Sequence, residues 1–190
     1  MTNVTIFGTG NMGSAIAGVL AAGGASVDHL GSAETGTITG DVVVLAVPYP
    51  ALATIVEQYA DQLGGKVVVD ITNPLDFSTF DALTVPAGSS AAAELQAKLP
   101  SSHVLKAFNT NFAATLATGA VGSAPTTVLI AGDDDSAKHA VADLVRGAGL
   151  RAADAGSLKR ARELEALAFL QMTLAAAGTT SWTSGFALFD

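Results

Sequence analysis

The sequence predicts a doubly wound, mostly parallel α/β sheet, and three observations carry that prediction. Short runs rich in Val, Ile and Leu alternate with longer Ala- and Leu-rich runs. Several short runs are apolar at every position, as expected of parallel strands covered by helices on both faces. Glycines punctuate the ends of the longer runs, where helices stop. A length of 190 residues suits one domain and is enough to bury roughly 70% of the unfolded surface, so the lack of cysteine is no handicap. The expectation is a single domain over 1–190, with a C-terminal helix and tail, 157–190, packing on the sheet and forming a dimer interface.

Each element follows from its own residues. Val4 to Phe7 is a first strand, closed by Gly8, and the apolar run Met12 to Ala22 is a helix. Ser26 to Leu30 is a second strand, and Val42 to Val47, apolar throughout, is a central one. Only about ten residues, Gly31 to Gly40, link those two strands where a helix and an extra strand are usual. At about 3.3 Å per residue they reach roughly 33 Å, enough to run back along the sheet. The double winding is therefore abbreviated after the second strand. Pro50 to Leu63 is a helix ended by Gly64-Gly65, and Lys66 to Ile71 is the next strand. Asn73 to Ser90 is the one long irregular segment, and loops of that length are commonly functional. Ala91 to Leu99 is a helix, Val104 to Phe108 and Thr126 to Ala131 are strands, and Ser136 to Arg146 is a helix. Asp133-Asp134-Asp135 before that helix reads as a capped, solvated entry rather than a metal site. Arg151 to Asp154 is the last strand and Leu158 to Ala177 the last helix.

Charge narrows the function. Nine Lys plus Arg against seventeen Asp plus Glu give a net charge of -8, which argues against nucleic acid and anionic membranes as partners. No Lys or Arg occurs before Lys66. An anion held by the first third of the chain must be held by backbone. The N-terminus carries no basic region ahead of a long apolar run, and no run reaches the roughly 20 residues that span a bilayer. The expectation is a soluble cytoplasmic protein.

Directly after the first strand stands Gly8-Thr9-Gly10-Asn11-Met12-Gly13, and the helix follows it. A bare glycine pattern is weak, but strand before and helix after is the context of a Rossmann dinucleotide site. Gly8 permits the tight turn, Gly10 lets backbone approach a pyrophosphate, and Gly13 lets helix pack on strand. The helix N-terminus then offers N–H groups and partial positive charge to the phosphates. Near the second strand's end, Ser32 and His29 suit the extra phosphate of NADP(H), whereas Glu34 suits NAD. Both cofactors remain open on these residues.

Further motifs occur in order: Leu45-Ala46-Val47-Pro48, Val69-Asp70-Ile71-Thr72-Asn73-Pro74-Leu75, Lys106-Ala107-Phe108-Asn109-Thr110, Ala131-Gly132-Asp133-Asp134, Asp154-Ala155-Gly156 and Ala161-Arg162-Glu163-Leu164-Glu165. With the glycine turn they resemble the NADPH-dependent reductases of the deazaflavin coenzyme F420, and the cytosolic domain of the six-transmembrane metalloreductases. The resemblance implies a dimeric oxidoreductase with NADP(H) across the C-terminal ends of the strands. It also implies a flavin or deazaflavin co-substrate as the small-molecule redox acceptor. Carried over, the glycine turn holds the pyrophosphate and Ser32 sits near the adenosine phosphate. Ala46-Val47-Pro48 lies along the cofactor's middle, and Thr72-Asn73-Pro74 and Phe108-Asn109 flank the nicotinamide. The family's Arg after the serine is Ala33 here. The resemblance also suggests that Arg162 and Glu165, spaced i to i+3, form an ion pair.

No residue is assigned a catalytic proton transfer and no metal site is expected, since His29, His103 and His139 fall on different elements. Hydride exchange between two rings is chiefly a positioning problem, so the missing acid favours a flavin-type acceptor. Two rival readings remain: a non-catalytic dinucleotide sensor, and a small carbonyl or imine reductase with Lys106 as proton donor. The aromatic tail from Trp182 to Phe189 is expected to pack in the core or an interface rather than line a substrate site.

Overall fold

The structure, a computed structural model, describes residues 1–31 and 36–189. Seven strands form one sheet: β1 (Asn3–Phe7), β2 (Ser26–Leu30), β3 (Val42–Leu45), β4 (Val67–Asp70), β5 (His103–Lys106), β8 (Thr127–Gly132) and β9 (Arg151–Gly156), in the order β2-β1-β3-β4-β5-β8-β9. A separate two-stranded hairpin pairs β6 (Ala120–Val121) with β7 (Ala124–Pro125). The helices are α1 (Asn11–Ala22), α2 (Ala51–Leu63), α3 (Ala91–Lys98), α4 (Ala113–Thr118), α5 (Asp135–Gly147) and α6 (Ala161–Ala176), the last preceded by a 3-10 turn at Leu158–Arg160.

Alternation along the strands builds two cores. Val42 and Val44 of β3 pack on one side with Ile16 and Leu20 of α1 and Val141 and Val145 of α5. Val43 and Leu45 pack on the other with Leu52, Ile55 and Tyr59 of α2 and Leu95 of α3. The period of two sends successive Val side chains to opposite faces, which is why the run reads as apolar throughout. The doubly wound prediction holds. Before β3, Ile38 is buried against the α2 layer, and its N–H donates to Gln62 Oε1 at 2.9 Å.

Three features differ from the sequence prediction. β8 runs antiparallel to β5, pairing Lys106 with Ala131. The reason lies in the connection, where the short α4 and the hairpin replace a crossover helix. Asn111 Nδ2 donates to Thr127 O at 3.0 Å, so β8 begins beside the loop that leaves β5 and must run back down. Buried apolar runs reveal that a strand is central but not its direction. Both α4 and the hairpin were also missed, because six residues of helix and two-residue strands carry too little periodicity.

The acidic run before α5 is structural. Asp134 Oδ1 accepts from Ala137 N at 2.7 Å as an N-cap, a bond of the kind typically worth about 1 kcal/mol. Asp133 Oδ1 accepts from Leu158 N at 2.9 Å and so ties this helix entry to the approach of α6. Among the described residues no helix is long and apolar enough to cross a membrane.

Candidate functional site

The site lies at the C-terminal edge of the parallel strands, where chain leaves β1, β3, β4 and β5. Gly8 takes φ +108, a conformation open to glycine, and a Cβ there would overlap Ala46 O. A Cβ on Gly13 would overlap Gly8 O. These two glycines let the turn, the end of β3 and α1 close on one another. Gly10 differs: its φ is -74, and a Cβ would meet no protein atom within 4 Å. It borders open space.

α1 has no side-chain cap, so its first N–H groups stay available to an anion. Two hollows flank the turn. One, of about 170 Å³, is lined by Gly8, Leu30, Gly31, Val47, Gln58 and Tyr59 among others. The other, of about 460 Å³, lies within the roughly 300–1,000 Å³ of small-molecule sites. Asn11, Met12, Asn73 and Asn109 line it together with the aromatic Phe112 and Trp182. The turn thus bridges a narrow cleft and a wider one, as an extended two-headed ligand requires. His29 Nδ1 stands 3.0 Å from Gly8 O, at the narrow side.

An amide clasp builds the wider hollow's floor. Asn109 Nδ2 donates to Asn73 Oδ1 and to Leu164 O, each at 3.0 Å, and Asn73 Nδ2 donates to Asn109 O at 3.0 Å. The loops leaving β4 and β5 are thereby joined to α6. Asn109 Oδ1 and Thr72 Oγ1 are buried without a protein partner, the kind of acceptor that a ligand's donor can satisfy. Phe108 holds φ +61, unusual for a bulky residue, and such strain gathers at functional sites. Its side chain is fully buried in the core beside α1 and α5. Phe108 itself does not line the hollow; its neighbour Asn109 does.

Beneath the clasp lies a charge cluster that sequence reasoning did not find. Lys106 Nζ stands 2.8 Å from Asp70 Oδ2 and 2.8 Å from Glu165 Oε1, and donates to Thr72 O at 2.5 Å. All three charged side chains are buried. Glu165 Oε2 also accepts from Ala91 N at 3.0 Å, at the N-terminus of α3. Burial pushes the Glu165 carboxyl above its usual value, while Lys106 and the Ala91 N–H pull it back. The expected Arg162–Glu165 pair is therefore corrected: Lys106 takes the Glu165 carboxylate, and Arg162 faces solvent. A signal for the cluster existed, since Asp70 and Lys106 end two neighbouring apolar strands and pair directly across the sheet.

Thr9, Gly10 and Pro48 are exposed at the turn and the β3 exit. Gly13, Thr72 and Pro74 are buried, and Ala46 is half-buried. Ser32 falls outside the described residues, as do Ala33 and Glu34. Tyr49, next to Pro48, donates its hydroxyl to Glu94 at 2.6 Å. Burial and that carboxylate push Tyr49 up to about 12, so it keeps its proton at neutral pH. The tail does not enter the core: Trp182, Phe186, Leu188 and Phe189 are each about half exposed or more.

Comparison with known proteins finds likeness to F420-dependent NADP oxidoreductases and to a metalloreductase. A family model described as NADP oxidoreductase coenzyme F420-dependent matches residues 25–74. The F420-dependent NADP reductase of Methanocaldococcus jannaschii is 34% identical over 132 residues, 67% of this chain and 59% of the relative. Metalloreductase STEAP3 of Rattus norvegicus is 36% identical over 126 residues, 66% of this chain and 24% of the relative. The chain thus spans less than two thirds of either relative's length. A crystal structure of a protein assigned as an F420-dependent NADP-reductase, from Arthrobacter sp. FB24, superposes with a TM-score of 0.86 at 25% identity, covering 100% of both chains.

Proposed function

The chain is related to the coenzyme F420-dependent NADP oxidoreductases, and from that premise we propose that it exchanges hydride between NADP(H) and a flavin or deazaflavin acceptor. One observation carries the proposal. The wider hollow beside the glycine turn is lined by amides, a hydroxyl and apolar side chains, with no titratable group among its lining residues. Hydride transfer between two rings needs alignment and a dry surface rather than a proton donor.

The residues fit a dinucleotide. Gly8, Thr9, Gly10, Asn11, Met12 and Gly13 would hold the pyrophosphate by backbone, with Gly10 bordering the space it needs. Ala46, Val47 and Pro48 would follow its middle, and the narrow cleft would take the adenosine. Asn73 and Asn109, which line the wider hollow, would border the nicotinamide, with the buried Thr72, Pro74 and Phe108 supporting them from behind. The unpartnered Asn109 Oδ1 matches the donor of a carboxamide. When bound, the cofactor supplies the hydride; the chain's own part is to fix the ring and keep water away.

Lys106 does not suit the carbonyl or imine reductase reading, because it is buried, held by two carboxylates and absent from the hollow's wall. In the test, purified protein with NADPH is given F420, FMN or riboflavin in turn. NADPH oxidation above the enzyme-free rate with at least one is expected; control rates with all three, despite tight NADPH binding, favour the sensor.

The proposal includes a homodimer. Leu170 on α6 and Phe186, Leu188 and Phe189 of the tail are exposed apolar groups, the composition of a subunit interface. Sedimentation should report twice the chain mass, and a monomer at micromolar concentration would remove the dimer. The same reading places the protein in the cytoplasm, which cell fractionation checks.

A further inference from the structure

Trp182 is an oddity as a packing residue. It is the chain's single tryptophan, yet half of it is exposed, while its ring meets Phe112 at 5.1 Å between centroids and 53° between planes. The turn holding it is closed by its own hydrogen bonds. Ser184 N donates to Ser181 O at 3.1 Å, Ser184 Oγ donates to the same oxygen at 2.6 Å, and Thr183 N donates to Ser181 Oγ at 3.3 Å. Further along, Arg151 Nη1 donates to Leu188 O at 2.9 Å and anchors the tail to β9. Gly185 runs close to Val121 of the hairpin and Gln171 of α6. A tail whose turn is closed by its own bonds and whose end is tied to β9 presents an indole at the wall of the wider hollow, which Asn73 and Asn109 also line.

We propose that Trp182, backed by Phe112, is the surface on which the acceptor's aromatic ring stacks, making the C-terminal tail a specificity-determining part of the site. This rests on the hydride-exchange reading above. A half-exposed indole beside a cavity loses its contact with water when a flat ring covers it, and stacking on such a face is a large term for any planar heteroaromatic. The amide clasp of the same hollow would hold the nicotinamide end. An indole face of this kind would select planar, multi-ring acceptors over compact ones. No side chain is needed to move a proton.

The test titrates riboflavin, a ring system without phosphate, into the full chain saturated with NADP, by calorimetry and by Trp182 emission. Wild type should bind riboflavin with saturable quenching. Trp182→Ala and Phe112→Ala should each weaken riboflavin by about tenfold or more, and Trp182→Phe by no more than about threefold. NADP affinity should stay within about twofold in all three. No riboflavin binding to wild type, an unchanged riboflavin affinity in Trp182→Ala, or an equal loss of NADP would overturn the proposal. Failure of hydride exchange reads differently. Riboflavin bound and weakened as expected, but with no NADPH oxidation by wild type, removes the reaction and leaves the stacking surface standing.

Discussion

Lys106→Met is expected to destabilise the protein by about 3–5 kcal/mol at neutral pH, with the loss shrinking as the solution is acidified. Methionine fills the same space but leaves Asp70 and Glu165, both buried, without the ammonium that stands 2.8 Å from each. Removing one member of a buried ionic group costs far more than the group was worth intact, because the remaining charges lose water and partner together. The pH dependence follows from Glu165. Burial and the Asp70 charge already raise it, and the substitution deletes the Lys106 contributions that lower it. An acid whose folded pKa lies above its unfolded value is unpenalised below the unfolded value, and the penalty grows as pH rises through the folded one. Urea unfolding at about pH 5 and about pH 8 should therefore show the smaller deficit at the lower value. A deficit below about 1 kcal/mol at both would mean that the cluster is not what holds this edge together. Lost turnover with full stability would instead restore Lys106 as a proton donor.

The cluster also shows where the sequence stopped being readable. Strands and helices were legible because burial imposes a pattern: an unbroken apolar run on β3, which is covered on both faces, and a period of about 3.6 on α1, whose Gly13, Ile16, Val19 and Leu20 are buried. The glycine turn was legible because steric demands at Gly8 and Gly13 leave one acceptable residue. A buried ion pair imposes no period. Asp70 and Lys106 are 36 positions apart, and only knowing that β4 and β5 are neighbours makes their charges complementary. Local spacing even misled: Arg162 and Glu165 stand at a helical interval, but a solvated pair yields only tenths of a kcal/mol. Glu165 instead shares the buried face of α6 with Leu164, Ala168 and Met172. The hollow's aromatic wall was hidden for a related reason. Phe112 and Trp182 stand 70 positions apart in the chain, and hydropathy alone gives the tail the look of core.

Gly10→Ala is expected to separate binding from folding. Its φ of -74 and ψ of -176 are open to alanine, and a methyl would meet no protein atom within 4 Å. The fold should be kept, and a gain of about 0.4–1 kcal/mol is expected from a less flexible unfolded chain. If the cofactor's pyrophosphate crosses this turn, the same methyl intrudes on it. Overpacking of that kind costs about 1–3 kcal/mol, which weakens NADPH by a factor between about 5 and about 150. Gly8→Ala supplies the contrast. There the methyl overlaps Ala46 O and the backbone sits at φ +108, so the loss falls on stability, on the order of 3 kcal/mol or more. Thermal unfolding paired with NADPH fluorescence titration distinguishes the two. Gly10→Ala should unfold no earlier than wild type and bind NADPH poorly; Gly8→Ala should unfold well below it. An unchanged NADPH affinity in Gly10→Ala would take the pyrophosphate off this turn, because no protein contact at that position is available to explain the result otherwise.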